Sequence, residues 1–416
     1  MGLTKKRLVI IGGGYAGVRV ARDVARVLGD QIEIVLVSES DEHVDAPLLY
    51  EIATVFLPKE NRPPLAAIKR GVSVPTSELF YKLPVKVRKA RVVDIKTRER
   101  MVVLEAGETM SFDWLVVSVG TKLNTFGVAG VKEHGFSLES LQQATRLRQH
   151  ITRQMMESER LTGERQAAAR TFVVVGAGAT GVETAAELVG LLKKVCWARG
   201  YDLKSSRVIL LEAGQHVLRE MPEYWQNRVR KRLESLGIEI WLEAKVAQVN
   251  ERSVALVDER EIETNTVIWS GGLCVHPLFT QTGWPLAEWG VKVNDKLQVV
   301  GQPLVFAAGD CARVDGQSVP ANVPVAYGEG SVVARNIGHA FRGEDLEKYV
   351  FKEEGMLVAL GSKRALLIFP SGWGMMGWLP WLVKKLVSLR YWMWYLPVSK
   401  AFSYWWQGLK MHSQND

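Results

Sequence analysis

Two glycine-rich hexapeptides hold the residues whose types and spacing are best suited to chemistry. The first, Gly12-Gly13-Gly14-Tyr15-Ala16-Gly17, follows the apolar run Arg7-Leu8-Val9-Ile10-Ile11. It opens a stretch in which Val18, Val20, Ala21, Val24, Ala25 and Leu28 recur at helical spacing. The second, Gly176-Ala177-Gly178-Ala179-Thr180-Gly181, follows Phe172-Val173-Val174-Val175 and leads into Val182–Leu188. In each, the first glycine permits a tight turn and the second lets backbone N–H groups approach a pyrophosphate. The third lets helix and strand pack closely. The helix N-terminus then turns free N–H groups and the positive end of its dipole toward an anion. A further apolar run follows each loop and ends in polar residues: Ser38 and Glu39 after Ile32–Val37, and Glu212 after Arg207–Leu211. An acid at such a strand tip accepts hydrogen bonds from a ribose. Strand, glycine loop, helix, strand and acid, occurring twice, predict two dinucleotides on one chain. The Glu212 carboxylate favours a free 2′-hydroxyl and repels a 2′-phosphate, so the second nucleotide is expected to be NADH rather than NADPH.

The elements that must position these loops give the fold class: α/β, with two Rossmann-like dinucleotide-binding domains. Asp113–Thr121 reads as a buried strand ending in small residues at Gly120 and Thr121, where a cofactor lies across the C-terminal edge of a sheet. Far downstream, Pro303–Asp310 is a strand closing on Gly309-Asp310. It completes the first domain, so the second is inserted into the first, and Asp310 is placed to orient the ribityl chain of a flavin. The expected boundaries are 1–125 and 291–350 for the first domain, 126–290 for the second and 351–416 for a C-terminal segment. Residues 40–56 read as a loop entering a short helix, 57–80 as a surface connection and 161–170 as a polar linker. Val85–Ile95 and Met101–Leu104 read as hairpin strands, and Leu138–Glu159 as a helix.

At 416 residues the chain has ample length for two or three domains. The three cysteines, Cys196, Cys274 and Cys311, are far apart, with no Cys-x-x-Cys. This predicts no disulfide framework, no metal site, no redox dithiol and a reducing compartment. The N-terminus enters the first strand directly, so no secretory signal is expected. A net charge of +8 points to an anionic partner. No recognised nucleic-acid motif accompanies it, which argues against nucleic acid.

The charge is concentrated in the tail. Between Glu354 and Asp416 there is no acidic residue, but there are Lys363, Arg364, Lys384, Lys385, Arg390, Lys400 and Lys410, and seven of the 14 tryptophans. Leu379, Leu382, Leu386, Leu389, Met393 and Leu396 alternate in steps of three and four, as on one helical face. Lys384 and Lys385 interrupt the run, and Pro380 and Pro397 bracket it, so it is not expected to cross a bilayer. A basic, Trp-rich amphipathic helix is expected to lie on an anionic membrane surface. A helix docked on the body, or a homodimer contact, is the alternative.

Four stretches together resemble the type II NADH dehydrogenases, single-subunit NADH:quinone oxidoreductases that do not pump protons. They are His43-x-x-x-Pro47-Leu48-Leu49-Tyr50-Glu51-Ile52-Ala53-Thr54, Gly176 through Glu183, Thr266 through Gly271-Gly272, and Ala307-Ala308-Gly309-Asp310. The resemblance runs to about Lys410. It implies FAD in the first domain, NADH in the second and quinone reaching the flavin from the side away from NADH. It also implies attachment as a peripheral protein at the cytoplasmic face of the cell membrane, or the equivalent organelle face. Glu183 matches a family glutamate beside the nicotinamide, although an acid early in a helix is also favoured by the dipole alone. His43, Pro47 and Leu48 fall among the cofactor-binding positions. Where the family carries Ala-Gln-x-Ala-x-Gln along its quinone site, this chain has Val323-Pro324-Val325-Ala326-Tyr327-Gly328. Both glutamines are absent. Val325 and Ala326 fall among the cofactor-binding positions, and Tyr327 and Lys363 join Glu183 as candidate catalytic residues. The rival readings are a ferredoxin reductase or NADH oxidase with another acceptor, a sulfide:quinone reductase, and a flavin-binding signalling protein that responds to NADH.

Overall fold

The computed structural model describes residues 5–56 and 69–412. Six helices carry or support the candidate site: α1 (Tyr15–Leu28), α2 (Leu49–Thr54), α3 (Ala179–Arg199), α4 (Val323–Arg342), α5 (Trp378–Tyr395) and α6 (Val398–His412). The chain divides into two compact units. The first comprises Met1–Val44, Ser73–Lys122 and Leu273–Glu353; the second comprises Asp45–Val72, Leu123–Gly272 and Glu354–Asp416.

The first unit is built on a parallel sheet of five strands. Arg7–Ile11 lies between Glu33–Ser38 and Trp114–Val117, the outer strands being Val85–Lys89 and Val305–Ala307. The central strands are continuous runs of Val, Ile and Leu because both faces are covered. α1 and α4 pack against each other, and Gly330 allows the close approach: a Cβ there would lie 2.8 Å from the Ala16 carbonyl oxygen. Val85–Lys89 is not half of a hairpin, as its alternation suggests. It pairs in parallel with Ile34–Ser38 as a solvated edge strand, where its alternate lysines and arginine face water. Val92–Lys96, Met101–Leu104 and Thr109–Ser111 form a separate antiparallel sheet of their own.

The second unit repeats the plan, with parallel strands in the order Gly135–Phe136, Thr266–Trp269, Thr171–Val175, Arg207–Leu211 and Ile238–Trp241. The expected polar linker holds a helix, Gly163–Ala169, because its alanines are good helix formers and Ala168 and Ala169 are buried. Residues 57–68 of the expected surface connection lie outside the described residues.

α2 and the tail belong to this second unit. All six residues of α2 are buried. Among the described residues, no helix is long and apolar enough to cross a membrane. Pro380 does not bracket α5 but sits in its first turn, where a missing N–H costs nothing. The face of α5 turned inward carries Lys385, Trp392 and Tyr395; Leu379, Leu382, Leu386 and Met393 are exposed. Trp373, Trp378, Phe402 and Trp406 are exposed as well. Leu396 is buried, so it is not part of that outer stripe.

Candidate functional site

Each unit carries one of the glycine loops, and the two have the same construction. Gly12 and Gly176 have φ of +111° and +99°, which a side chain would strain. A Cβ on Gly12 would overlap the Ser118 carbonyl, and one on Gly176 would come within 2.9 Å of the Gly271 Cα. Gly17 and Gly181 back directly onto the carbonyl oxygens of Gly12 and Gly176, leaving no room for a methyl group. Gly14 and Gly178 are different. A Cβ at either would meet nothing within 4 Å. Both are N-caps without a side-chain hydrogen bond, and neither α1 nor α3 has an acid in its first turn. The helix N–H groups are therefore left for a ligand, with no built-in anion competing for them.

A serine locks each loop. Ser118 Oγ is 3.0 Å from the Ile11 oxygen and 3.3 Å from that of Gly12; Ser270 Oγ is 2.8 Å from Val175 O and 3.1 Å from Gly176 O. Sequence reasoning passed over both. Their shared position just past the strand that pairs with the other side of each loop strand was the available signal.

The tips of the second strands differ. Ile11 pairs with Val37, and Val175 with Leu211, so the residue equivalent to Glu212 is Ser38 rather than Glu39. The Glu212 carboxylate accepts from Ala177 N at 2.7 Å and Gly214 N at 2.8 Å, which fixes it against the second loop. A carboxylate has about four acceptor positions, so capacity remains for a ribose. Ser38 lies beside Gly13, while Glu39 is exposed and paired with Arg91 at 3.2 Å.

Behind the first loop, His43 is fully buried, stacks edge-on to Tyr15 and donates from Nδ1 to the Gly13 oxygen at 3.0 Å. Burial lowers its pKa to about 4, so the ring is neutral. Its place is structural support for the loop. Gly120 has φ +67° with open space around it, and its neighbour Thr121 is half-buried. Gly309 has φ +82° and fits between Ala16 and Ala326. Burial raises the pKa of the adjacent Asp310 carboxyl. Val325 N is capped by Asn322 Oδ1 at 2.9 Å, and Tyr327 lies under the Arg19 guanidinium, 4.1 Å from its ring centroid. In the second unit, Pro47 and Leu48 form a short 3-10 turn before α2, and Ala179 and Thr180 open α3. Gly272 has φ +79° and faces the Phe126 ring. Open space remains at Gly14 and Gly178 of the loops and at Gly120, while Gly272 is closed off by the Phe126 ring.

A second constellation lies wholly in the second unit. Glu183, one turn into α3, is buried; its Oε1 accepts from Ala359 N at 2.9 Å and from the Lys384 ammonium. Burial raises its pKa, opposed by Lys384. Glu51 is equally buried and receives the Tyr50 hydroxyl at 2.9 Å and Lys385 Nζ at 3.0 and 3.2 Å. Burial and then Glu183, Glu51 and Glu187 push the Tyr50 phenol well above its ordinary pKa. Lys384 and Lys385 are thus not lipid-facing charges. Buried carboxylates hold them, and their ammonium groups offset acids that sit in a low dielectric. The lysine brought to Glu183 is Lys384; Lys363 is an exposed residue with φ +54° at the turn between strands Met356–Ala359 and Ala365–Ile368.

Residues 6–330 match the pyridine nucleotide-disulphide oxidoreductase family. Among characterised relatives, the type II NADH:quinone oxidoreductase of Staphylococcus saprophyticus is 24% identical over 372 residues, covering 87% of this chain and 89% of that protein. Its namesake from Staphylococcus aureus is 26% identical over 370 residues, with the same coverage. The solved structure of NDH2 from Plasmodium falciparum in complex with NADH superposes with a TM-score of 0.84 at 16% identity, covering 98% of both chains. The sulfide:quinone oxidoreductase of Aquifex aeolicus superposes at 0.75 with 17% identity, covering 94% of this chain and 91% of that one.

Proposed function

The chain belongs to the pyridine nucleotide-disulphide oxidoreductase family, and from that premise we propose that it is an FAD-dependent NADH:quinone oxidoreductase of the type II kind, working without proton pumping at an anionic membrane surface. The observation that carries the reading is the doubled cradle: two glycine loops, each with an open central glycine at an uncapped helix N-terminus. The named relatives supply the acceptor class.

Gly12, Gly14 and Gly17, with Ser118 behind them, would hold the FAD pyrophosphate on the amides of α1, and Asp310 would take the ribityl hydroxyls. Gly176, Gly178 and Gly181 would hold the NADH pyrophosphate, with Glu212 receiving the ribose of its adenosine half. When bound, the flavin supplies the two-electron chemistry, accepting hydride from NADH and passing electrons on to quinone. The protein supplies position and charge. Glu183, in a buried pair with Lys384, is a polar group that the cradle's helix carries one turn from its start. The outward Leu382, Leu386, Met393, Trp378 and Trp406, with exposed Arg390, Lys400 and Lys410, suit an interfacial position at the cytoplasmic leaflet.

The sulfide:quinone reading finds no support in the one cysteine beside the Gly-Asp turn. Cys311 is fully buried, its thiol directed at the Val117 and Ala308 oxygens, and burial pushes its pKa up to about 12. Such a thiol is not a nucleophile at neutral pH. The decisive experiment is to identify the bound flavin chromatographically. Oxidation of NADH and NADPH is then followed with menaquinone, ubiquinone, plastoquinone, ferredoxin and ferricyanide. Quinone reduction driven by NADH is expected, with Glu212→Gln narrowing the preference over NADPH. Turnover with ferredoxin but no quinone would transfer the chain to the soluble-acceptor reading.

A further inference from the structure

The first unit contains a buried acid that the proposed chemistry leaves unused. Glu329 lies on α4 one turn beyond Ala326 and is 1% exposed. Its Oε2 accepts the Gly309 amide at 2.6 Å. Gly309 is the left-handed residue of the turn, held at its Cα between Ala16 on α1 and Ala326 on α4. Its carbonyl receives Ala312 N at 2.8 Å. The Glu329 carboxyl thus secures the amide that immediately precedes Asp310.

We propose that Glu329 is a positioning residue of the flavin site: by accepting the Gly309 N–H it sets the turn that aims the Asp310 carboxyl at the cofactor. This rests on the first unit being the flavin-binding one. A carboxylate buried there only to hold one amide is a costly choice if packing alone were needed, because an apolar side chain would fill the space without desolvating an acid.

The charge state adds a consequence. Burial raises the Glu329 pKa to about 8, Asp310 adding to the rise while the Gly309 amide and Arg313 oppose it. Cys311 and Tyr349 also face it, both protonated at neutral pH because burial raises them, while the Arg313 guanidinium is held by Glu288 at 2.7 Å. From α1, Arg19 is engaged by Asp23 and stacked on Tyr327. At neutral pH the Glu329 carboxyl is largely protonated, and its carbonyl oxygen still accepts the amide. Above pH 8 a negative charge on Glu329 would stand close to Asp310, adding repulsion toward an anionic cofactor, so FAD should bind less tightly.

The test is FAD titration of flavin-stripped full-length protein, followed by flavin fluorescence from pH 6.5 to 9.5, for wild type, E329Q and E329L. A glutamine keeps an acceptor oxygen but cannot ionise; a leucine has neither property. Loss of the amide anchor in E329L should raise the FAD Kd about tenfold at pH 7. E329Q should bind like wild type at pH 7 and lose the weakening above pH 8. Identical affinities and pH profiles in all three proteins would overturn the assignment. Should E329L not fold, the profiles of wild type and E329Q decide it, and coincident profiles again overturn it. Failure of wild type to bind FAD at any pH would instead remove the flavin reading beneath it.

Discussion

Lys385→Met should destabilise the second unit far more than an ordinary surface substitution. The Glu51 and Lys385 side chains are 7% and 6% exposed, and the ammonium lies 3.0 and 3.2 Å from the two carboxylate oxygens. Methionine matches the lysine stem in length and takes away the ammonium opposite Glu51, leaving that buried carboxylate without its counter-ion. Breaking a buried pair by removing one partner costs about 3–5 kcal/mol. For a unit of this size each kcal/mol shifts the midpoint by roughly 2–4 °C, so a fall of about 6–20 °C is expected. Removing both charges, with Glu51→Gln and Lys385→Met together, should recover most of the loss because the carboxylate goes with its counter-ion. The assay is thermal unfolding by tryptophan fluorescence for the four members of the cycle. A single variant within about 1 kcal/mol of wild type, or a double variant worse than the single, would refute the argument. The same pair makes cutting the chain after Gly372 a poor probe of membrane attachment. Truncation would remove both ammoniums from Glu51 and Glu183 and so disturb the second unit itself.

Three further outcomes are expected. Gly178→Val should fold normally and lose NADH binding, measured by calorimetry, because Gly178 has φ −71° and open space; Gly181→Val should instead fail to fold, as it would overlap the Gly176 carbonyl. Leu382→Gln, Leu386→Gln and Met393→Gln together should leave the melting temperature unchanged and weaken flotation with anionic vesicles roughly hundredfold, each half-exposed side chain contributing about 1 kcal/mol of burial. Equal flotation would shift the tail to a role between protein copies. His43, neutral when folded with a pKa of about 4 against 6.5 in the open chain, should make the first unit lose stability as pH falls from 6.5 to 4, because the unfolded state binds the extra proton across that window. The total is about 3 kcal/mol, and His43→Asn, which can still donate to Gly13, should flatten that part of a denaturation-against-pH curve.

The two cradles were legible in the chain because all their parts are local. A run of Val and Ile, three glycines at set spacing and a 3.6-residue apolar period lie within forty residues of each other, and steric rules act on them wherever they occur. Glu212 could be read in the same way. What tertiary structure decided were the meanings of charges and of strand partners. Lys384 and Lys385 look in sequence like an interfacial basic pair, yet their acids stand 201 and 334 residues away. No periodicity encodes which of a helix's faces meets a buried carboxylate. The register that aligns Ser38 with Glu212, the parallel pairing of Val85–Lys89, the serines behind the loops and the reach of Glu329 to Gly309 are likewise products of chain segments brought together from a distance. An ionisable side chain carries no fixed role of its own: the same ammonium is a solvated surface charge in water and half of an obligatory pair once folding removes the water around it.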